Sequence, residues 1–177
     1  MRKSLLLLFS FGLISLSSHA QTKSPDQLSI GGEFGLPTGQ ASQVYGSVIG
    51  ASVKLEIPTA APRFNFVITS GLTDYLVKFN YTGLLANATY IPVEVGGRYY
   101  FSKIGYFEGD FGVSTDINSN YTAAKSAFIY APVLGFSAPS NKHKGTVDIG
   151  LRYEGRVESG GTVSQVALRV AYRFGLK

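Results

Sequence analysis

Residues 163–174, VSQVALRVAYRF, decide how this chain is read. Ser164, Val166, Leu168, Val170, Tyr172 and Phe174 form one face, apolar after its first member. Gln165, Ala167, Arg169, Ala171 and Arg173 form the other, small or charged. Such alternation marks a β-strand, because successive side chains leave a strand on opposite faces. A soluble sandwich turns its apolar face inward. A transmembrane barrel turns that face to lipid and keeps polar groups inside. The arginine-bearing face here suits the interior of a barrel, and the rest of the chain tests that sense.

Seven earlier segments repeat the pattern. They are residues 27–36, 47–57, 63–72, 90–101, 106–114, 127–137 and 146–154. In the second, Ile49, Ala51, Val53, Leu55 and Ile57 alternate with Val48, Gly50, Ser52, Lys54 and Glu56. In the seventh, Val147, Ile149, Leu151 and Tyr153 alternate with Asp148, Gly150, Arg152 and Glu154. The sixth is apolar on both faces and leaves its register open. Lengths near ten residues match what a tilted strand needs to cross a bilayer, roughly 9–11. The gaps 37–46, 73–89, 115–126 and 155–162 stand against 58–62, 102–105 and 138–145, the odd set longer except that its last member equals the last of the even set. Longer loops at one end and shorter turns at the other predict an all-β, eight-stranded antiparallel up-and-down transmembrane β-barrel. An even strand count puts both termini at the short-turn, periplasmic end.

The N-terminus fits export. Arg2 and Lys3 precede an apolar run at residues 5–16, and Ser18-His19-Ala20 offers a small-x-small cleavage site. Residues 1–20 read as a signal peptide and 21–177 as one barrel domain. The apolar run is too short for a membrane helix. There is no cysteine, which excludes lipoprotein anchoring, disulfides and thiol chemistry. Removing Arg2 and Lys3 leaves 14 of the 16 basic residues against 11 acids, a formal +3 that is too small and scattered for nucleic acid.

Aromatic residues fall near strand ends, as interfacial belts require. The periplasmic set is Phe64, Phe66, Tyr99, Tyr100, Phe101, Tyr106, Phe107, Phe136, Tyr172 and Phe174. The outer set is Phe34, Tyr45, Tyr75, Tyr90, Phe128, Tyr130 and Tyr153. Pro92 and Pro132 interrupt the fourth and sixth segments. Each removes a ladder donor, so a bulge or a late strand start is expected there.

Four stretches carry a resemblance: LSIGGEFGLPTG (residues 28–39), YIPVEVGGRYYF (90–101), YFEGDFGVS (106–114) and VSQVALRVAYRFGLK (163–177). Together the mature chain resembles the small outer-membrane β-barrel proteins of Bacteroidetes-type Gram-negative bacteria, similar to the OmpX and OmpA-barrel group. The resemblance implies outer-membrane location, lipid and lipopolysaccharide contact, and insertion by the outer-membrane assembly machinery. Gly175, Leu176 and Lys177 after Phe174 depart from the terminal aromatic of the proteobacterial assembly signal.

The interior-facing charges are Glu33, Lys54, Glu56, Glu94, Arg98, Glu108, Asp110, Asp148, Arg152, Glu154, Arg169 and Arg173. Eight strands enclose only enough room for their own side chains. Buried charges must then pair. Depth counting predicts Arg98 with Asp110 or Glu108, and Arg169 with Glu33. Glu108 and Asp110 share a face, as an acid/base pair does, but neighbouring arginines would hold both ionised. His19 leaves with the signal, and His143 sits between Lys142 and Lys144 in a periplasmic turn. One histidine supports neither a Ser–His–acid centre nor a metal site. No cofactor is expected.

Residues 73–89 form the longest outer loop. Its Tyr75, Phe79, Tyr81 and Leu84 are candidates for a partner surface. Alternatively, strands three and four continue upward and pack these rings on each other. The Asn-x-Thr sites at Asn80, Asn87 and Asn120 are expected to go unused. The function expected is a non-enzymatic, monomeric outer-membrane barrel with a structural or adhesion role. The alternatives are a soluble periplasmic lipocalin-like small-molecule binder, which needs apolar faces inside, and a lipid-modifying outer-membrane enzyme.

Overall fold

The computed structural model describes residues 25–118, 125–139 and 145–176. The signal-peptide reading of residues 1–20, His143 and the Asn120 site lie outside the described residues. The strands are β1 (Gln27–Thr38), β2 (Tyr45–Pro58), β3 (Phe64–Val77), β4 (Ala88–Tyr100), β5 (Gly105–Asp116), β6 (Ser126–Pro139), β7 (Gly145–Glu158) and β8 (Gly161–Gly175). A one-turn helix, α1 (Ala41–Val44), follows β1, and a 3-10 turn covers Phe79–Tyr81. Each strand pairs antiparallel with the next, and β8 returns to β1 to close the barrel. The closing seam runs unbroken from Gln27 opposite Gly175 to Thr38 opposite Ser164. Closure leaves no strand edge, so the backbone ladder needs no solvent partner.

The alternation read from the sequence sets which side faces in. Outward residues include Ile30, Phe34 and Leu168, which are 55%, 59% and 48% exposed. Inward residues include Lys54, Glu94 and Arg98, which are buried at 3%, 1% and 0%. A wall this apolar around a charged centre inverts the soluble pattern. β6 resolves likewise: Ala127, Ile129, Ala131 and Val133 are buried, while Phe128, Leu134 and Phe136 are exposed. It looked apolar on both faces because its lumen-side residues are mostly small, giving room to charges from β4, β5 and β7.

The structure departs from the sequence expectations in four places. The strands run 12–15 residues, longer than a bilayer crossing needs. Pairing continues past the interface, and β7 and β8 meet in a turn of residues 159–160 rather than a long loop. Gly161, at φ 144°, adopts the left-handed backbone that this turn demands.

Neither Pro92 nor Pro132 carries a bulge. Across Pro92 the β3–β4 register is the same before and after, Ser70 opposite Val93 and Thr73 opposite Tyr90. Across Pro132 the β6–β7 register is also kept, Tyr130 opposite Gly155 and Val133 opposite Arg152. Each proline stays paired on its other side, with Ser114 and with Gly109. The missing N–H therefore lapses one ladder locally, and the Ser70 hydroxyl donates to the Pro92 carbonyl at 3.0 Å. A register shift does occur in β2, between Tyr45 and Ser47.

The aromatic belts also need correcting. Tyr99, Phe101, Phe107 and Tyr172 face outward at the end that holds both termini, with Phe174 beside them. Tyr153 lies on the outer wall against Tyr130. Tyr90, however, is buried, as are Tyr75 and Tyr106. Tyr100 also turns to the lumen, where its hydroxyl donates to Glu56. Their positions share the parity of the charged face, so side-chain alternation overrides the preference of a ring for the interface.

The wall makes a prediction. Leu168 lies mid-strand, between Phe34 on β1 and Leu151 on β7. Leu168→Arg places a charge at the depth of the hydrocarbon centre and should cost about 2–4 kcal/mol. Denaturant titration in lipid vesicles measures that loss, and an unchanged midpoint would contradict the lipid-facing assignment.

Candidate functional site

Three layers of side chains fill the lumen. The layer nearest the termini is built on Arg98 of β4. Its Nε donates to Glu108 Oε2 at 2.6 Å. Its Nη1 donates to Glu56 Oε2 at 2.9 Å and to Asp148 Oδ2 at 3.0 Å. The guanidinium also lies over the Tyr106 ring, 3.8 Å from its centre. Arg173 donates to Glu56 at 2.7 Å and to the Tyr100 hydroxyl. Lys54 pairs with Glu108 and reaches Asp110 at 3.5 Å. Three carboxylates thus meet three cations, and Asn65 and Ser137 donate to Glu56 and Asp148. The predicted Arg98–Glu108 contact is present. Asp110 turns instead to Lys54 and Arg152.

The middle layer holds Arg152 of β7. Its Nη2 donates to both oxygens of Glu94, at 2.6 and 2.9 Å, and to Glu154 at 2.9 Å. Its Nη1 is 3.6 Å from Asp110. Across the lumen, Arg169 lies 3.5 Å from Glu33. Ser52 completes that pair: it accepts from Arg169 at 2.8 Å and donates to Glu33 at 2.8 Å. Arg169 and Glu33 are directly opposite in the closing seam, so the pair also sets the register in which β8 meets β1. A cavity of about 10 Å³, bordered by Thr69, Thr73, Arg152 and Glu154, has room for about one water.

The outer layer is aromatic. Tyr75 packs edge-on against Tyr45 and Tyr90, each at 5.5 Å between ring centres. Ala41 of α1, Val48 and Ala88 complete this cap. Arg156 sits over the Tyr90 ring at 4.6 Å, pairs with Glu158, and donates to the Ser114 carbonyl at 3.5 Å. Sequence reading missed Arg156 and the buried Asp116. Both were findable, since each continues the even-numbered inward series of β7 and β5 beyond the point where those segments were ended.

The outer loop divides. Tyr75 is 1% exposed and belongs to the cap, not to a partner surface. The upward continuation of β3 and β4 carries it inside with Tyr90. Phe79 and Leu84 stand out at 91% and 74% exposed, and Tyr81 is partly exposed. Asp74 anchors the loop base by accepting from Thr89 at 2.9 Å, and Asn87 accepts from the Val77 backbone at 3.1 Å. Lys78 Nζ donates to the Ser42 carbonyl at 2.6 Å, tying the loop to α1.

Such a lumen binds its own side chains. A lipocalin-like cup would need an apolar interior with open volume, and this interior is charged and packed.

No protein-family model matches the chain, and no curated protein matches it. Solved structures do. Ail, the attachment invasion locus protein of Yersinia pestis, superposes with a TM-score of 0.56 at 17% identity, over 85% of this chain and 99% of that one. The same protein in a phospholipid bilayer nanodisc gives 0.54 at 14%, over 86% and 100%. The outer membrane protein AlkL in lipid bilayers gives 0.50 at 11%, over 91% and 94%.

Removing Arg98 should leave Glu56, Glu108 and Asp148 facing one another. Breaking a buried ion pair costs about 3–5 kcal/mol. Arg98→Met should therefore lower the unfolding midpoint in lipid or stop the barrel from forming, read as loss of the heat-dependent shift in gel migration. A variant as stable as wild type would show that the layer is not held by this side chain. In fold, then, the chain is an eight-stranded up-and-down barrel of the kind these outer-membrane proteins share.

Proposed function

We propose that this protein is a non-enzymatic outer-membrane barrel that serves the cell envelope as a structural or adhesion protein, acting through its outer loops. The carrying observation is the combination of an apolar wall with a lumen closed by its own ion pairs. The wall supports contact with outer-membrane lipid and lipopolysaccharide. The ion-paired lumen supports a barrel that passes no solute. Function then falls to the parts outside the wall, and Phe79, Tyr81 and Leu84 are the exposed apolar residues of the loop between β3 and β4. Ail carries attachment in its name, so a barrel of this fold is compatible with that role.

In this reading residues 1–20 direct export, residues 21–177 form the mature barrel, and the assembly machinery inserts it as a monomer with both termini in the periplasm. No cofactor takes part. A lipid-modifying reaction finds no support in the lumen, where Glu108 and Asp110 are committed to Lys54, Arg98 and Arg152.

Two measurements test this. Purified protein in planar bilayers should show no conductance steps, and steady single-channel openings would refute the sealed lumen. Phe79→Ser/Leu84→Ser should keep the heat-dependent gel shift. It should weaken cell attachment by about tenfold, the loss of one contact worth roughly 1.4 kcal/mol. Undiminished attachment at equal surface expression would remove this loop as the adhesive element.

A further inference from the structure

The layers of the lumen differ in charge balance. Nearest the termini, Glu56, Glu108 and Asp148 are met by Arg98, Arg173 and Lys54. In the middle, Arg169 takes Glu33. The Lys54 that Asp110 also reaches at 3.5 Å is the cation already counted against Glu108, and Glu94, Glu154 and Asp110 gather around the single guanidinium of Arg152. All four side chains are more than nine-tenths buried. Fully ionised, this group carries two negative charges in excess, inside a wall of Val, Leu, Ile and Phe.

Among the described residues, no further cation offsets this excess. β1 presents Glu33, already engaged and itself within electrostatic reach of Arg152. β2 presents Ser52 and Lys54, and Lys54 pairs chiefly with Glu108. β3 presents Thr69 and Thr73, with Tyr75 above Glu154. β6 presents Ala131 and Val133. β8 presents Gln165, Ala167 and Arg169. Arg156 of β7 lies one layer further out, against Glu158 and Tyr90.

A second observation concerns Asp110 itself. One of its oxygens, Oδ1, is buried and accepts no hydrogen bond, and the buried Thr69 hydroxyl beside the central cavity also lacks a partner. An ionised carboxylate oxygen in a dry interior demands donors, and one without them is stabilised by protonation instead.

We propose that Glu94 and Asp110, gathered with Glu154 around Arg152, form a proton-binding site that retains at least one proton at neutral pH. The proton belongs to Glu94 and Asp110 together, so the pair takes it up as one unit rather than residue by residue. It brings the middle layer towards neutrality without a bound metal. The reading depends on the packed lumen described above and not on any role for the outer loops.

Infrared spectroscopy of the protein refolded in lipid vesicles tests it directly. At pH 7 wild type should show the carbonyl stretch of a protonated carboxyl in a dry environment, shifted in heavy water. Glu94→Gln/Asp110→Asn should lose that band. Its unfolding midpoint should equal or exceed that of wild type, because an amide stands in for the neutral acid. Glu108→Gln, in the balanced layer, should keep the band and lower the midpoint. Absence of the band in wild type at pH 7 would overturn the proposal whatever the variants do. So would a wild-type midpoint at pH 7 that rises when choline chloride is replaced by sodium chloride, since a bound cation would then supply the missing charge. Undiminished attachment by Phe79→Ser/Leu84→Ser would leave the band unaffected, so failure of the adhesion reading and failure of this one are separable.

Discussion

A charge enclosed by an apolar wall must be met by an opposite charge or neutralised, and this barrel is organised around that requirement. Arg98 and Arg152 enter the lumen from β4 and β7, and their partners come from β2, β4, β5 and β7. Strands far apart in sequence are thereby tied across the barrel as well as around it. Hydrogen bonds between neighbouring strands would allow a slip by two residues without turning a side chain to the wrong face. The ion pairs do not allow it, since two residues of slip would move each charge by about 7 Å. Arg169 opposite Glu33 applies the same constraint at the closing seam.

Filling the lumen in this way determines what the molecule can do. An eight-stranded barrel has room for its own side chains and little else. Ionic layers towards the termini and a tyrosine cap at the other end spend that room. The cap rests on Tyr75, whose ring meets Tyr45 and Tyr90 edge-on. It also fixes the base of the loop that presents Phe79 and Leu84. The loop tip stands clear of this packed stem, so its residues can change with little effect on the barrel.

Much of this was legible in the chain alone. The eight segments and their order follow from the pattern, and in seven of them so does the side facing the lumen, because side-chain parity depends only on local strand geometry; β6, apolar on both faces, left its side open. The inward charges follow from the same parity, as does the Arg169–Glu33 pair once strand eight must meet strand one. Tyr90 and Tyr75 lie inside, against the interfacial expectation, because parity outweighs composition. An interfacial ring is a statistical preference, whereas side-chain direction along a strand is a geometric rule. Arg156 and Asp116 were missed because the segments were ended where a bilayer would end, although pairing continues beyond it.

The amino-acid sequence by itself determined the alternating faces, the strand number and the inversion of polarity, because each depends on residues close together along the chain. Only the tertiary structure decided which carboxylate each arginine takes. Asp110 lies across from Arg152 and not against Arg98, and that depends on strand tilt and stagger around a closed barrel, which no local pattern records. The same holds for the prolines. Whether Pro92 forces a bulge depends on whether its neighbour can lapse for a step and resume in register, and β3, held by Thr73 and Ser70 on either side, does so.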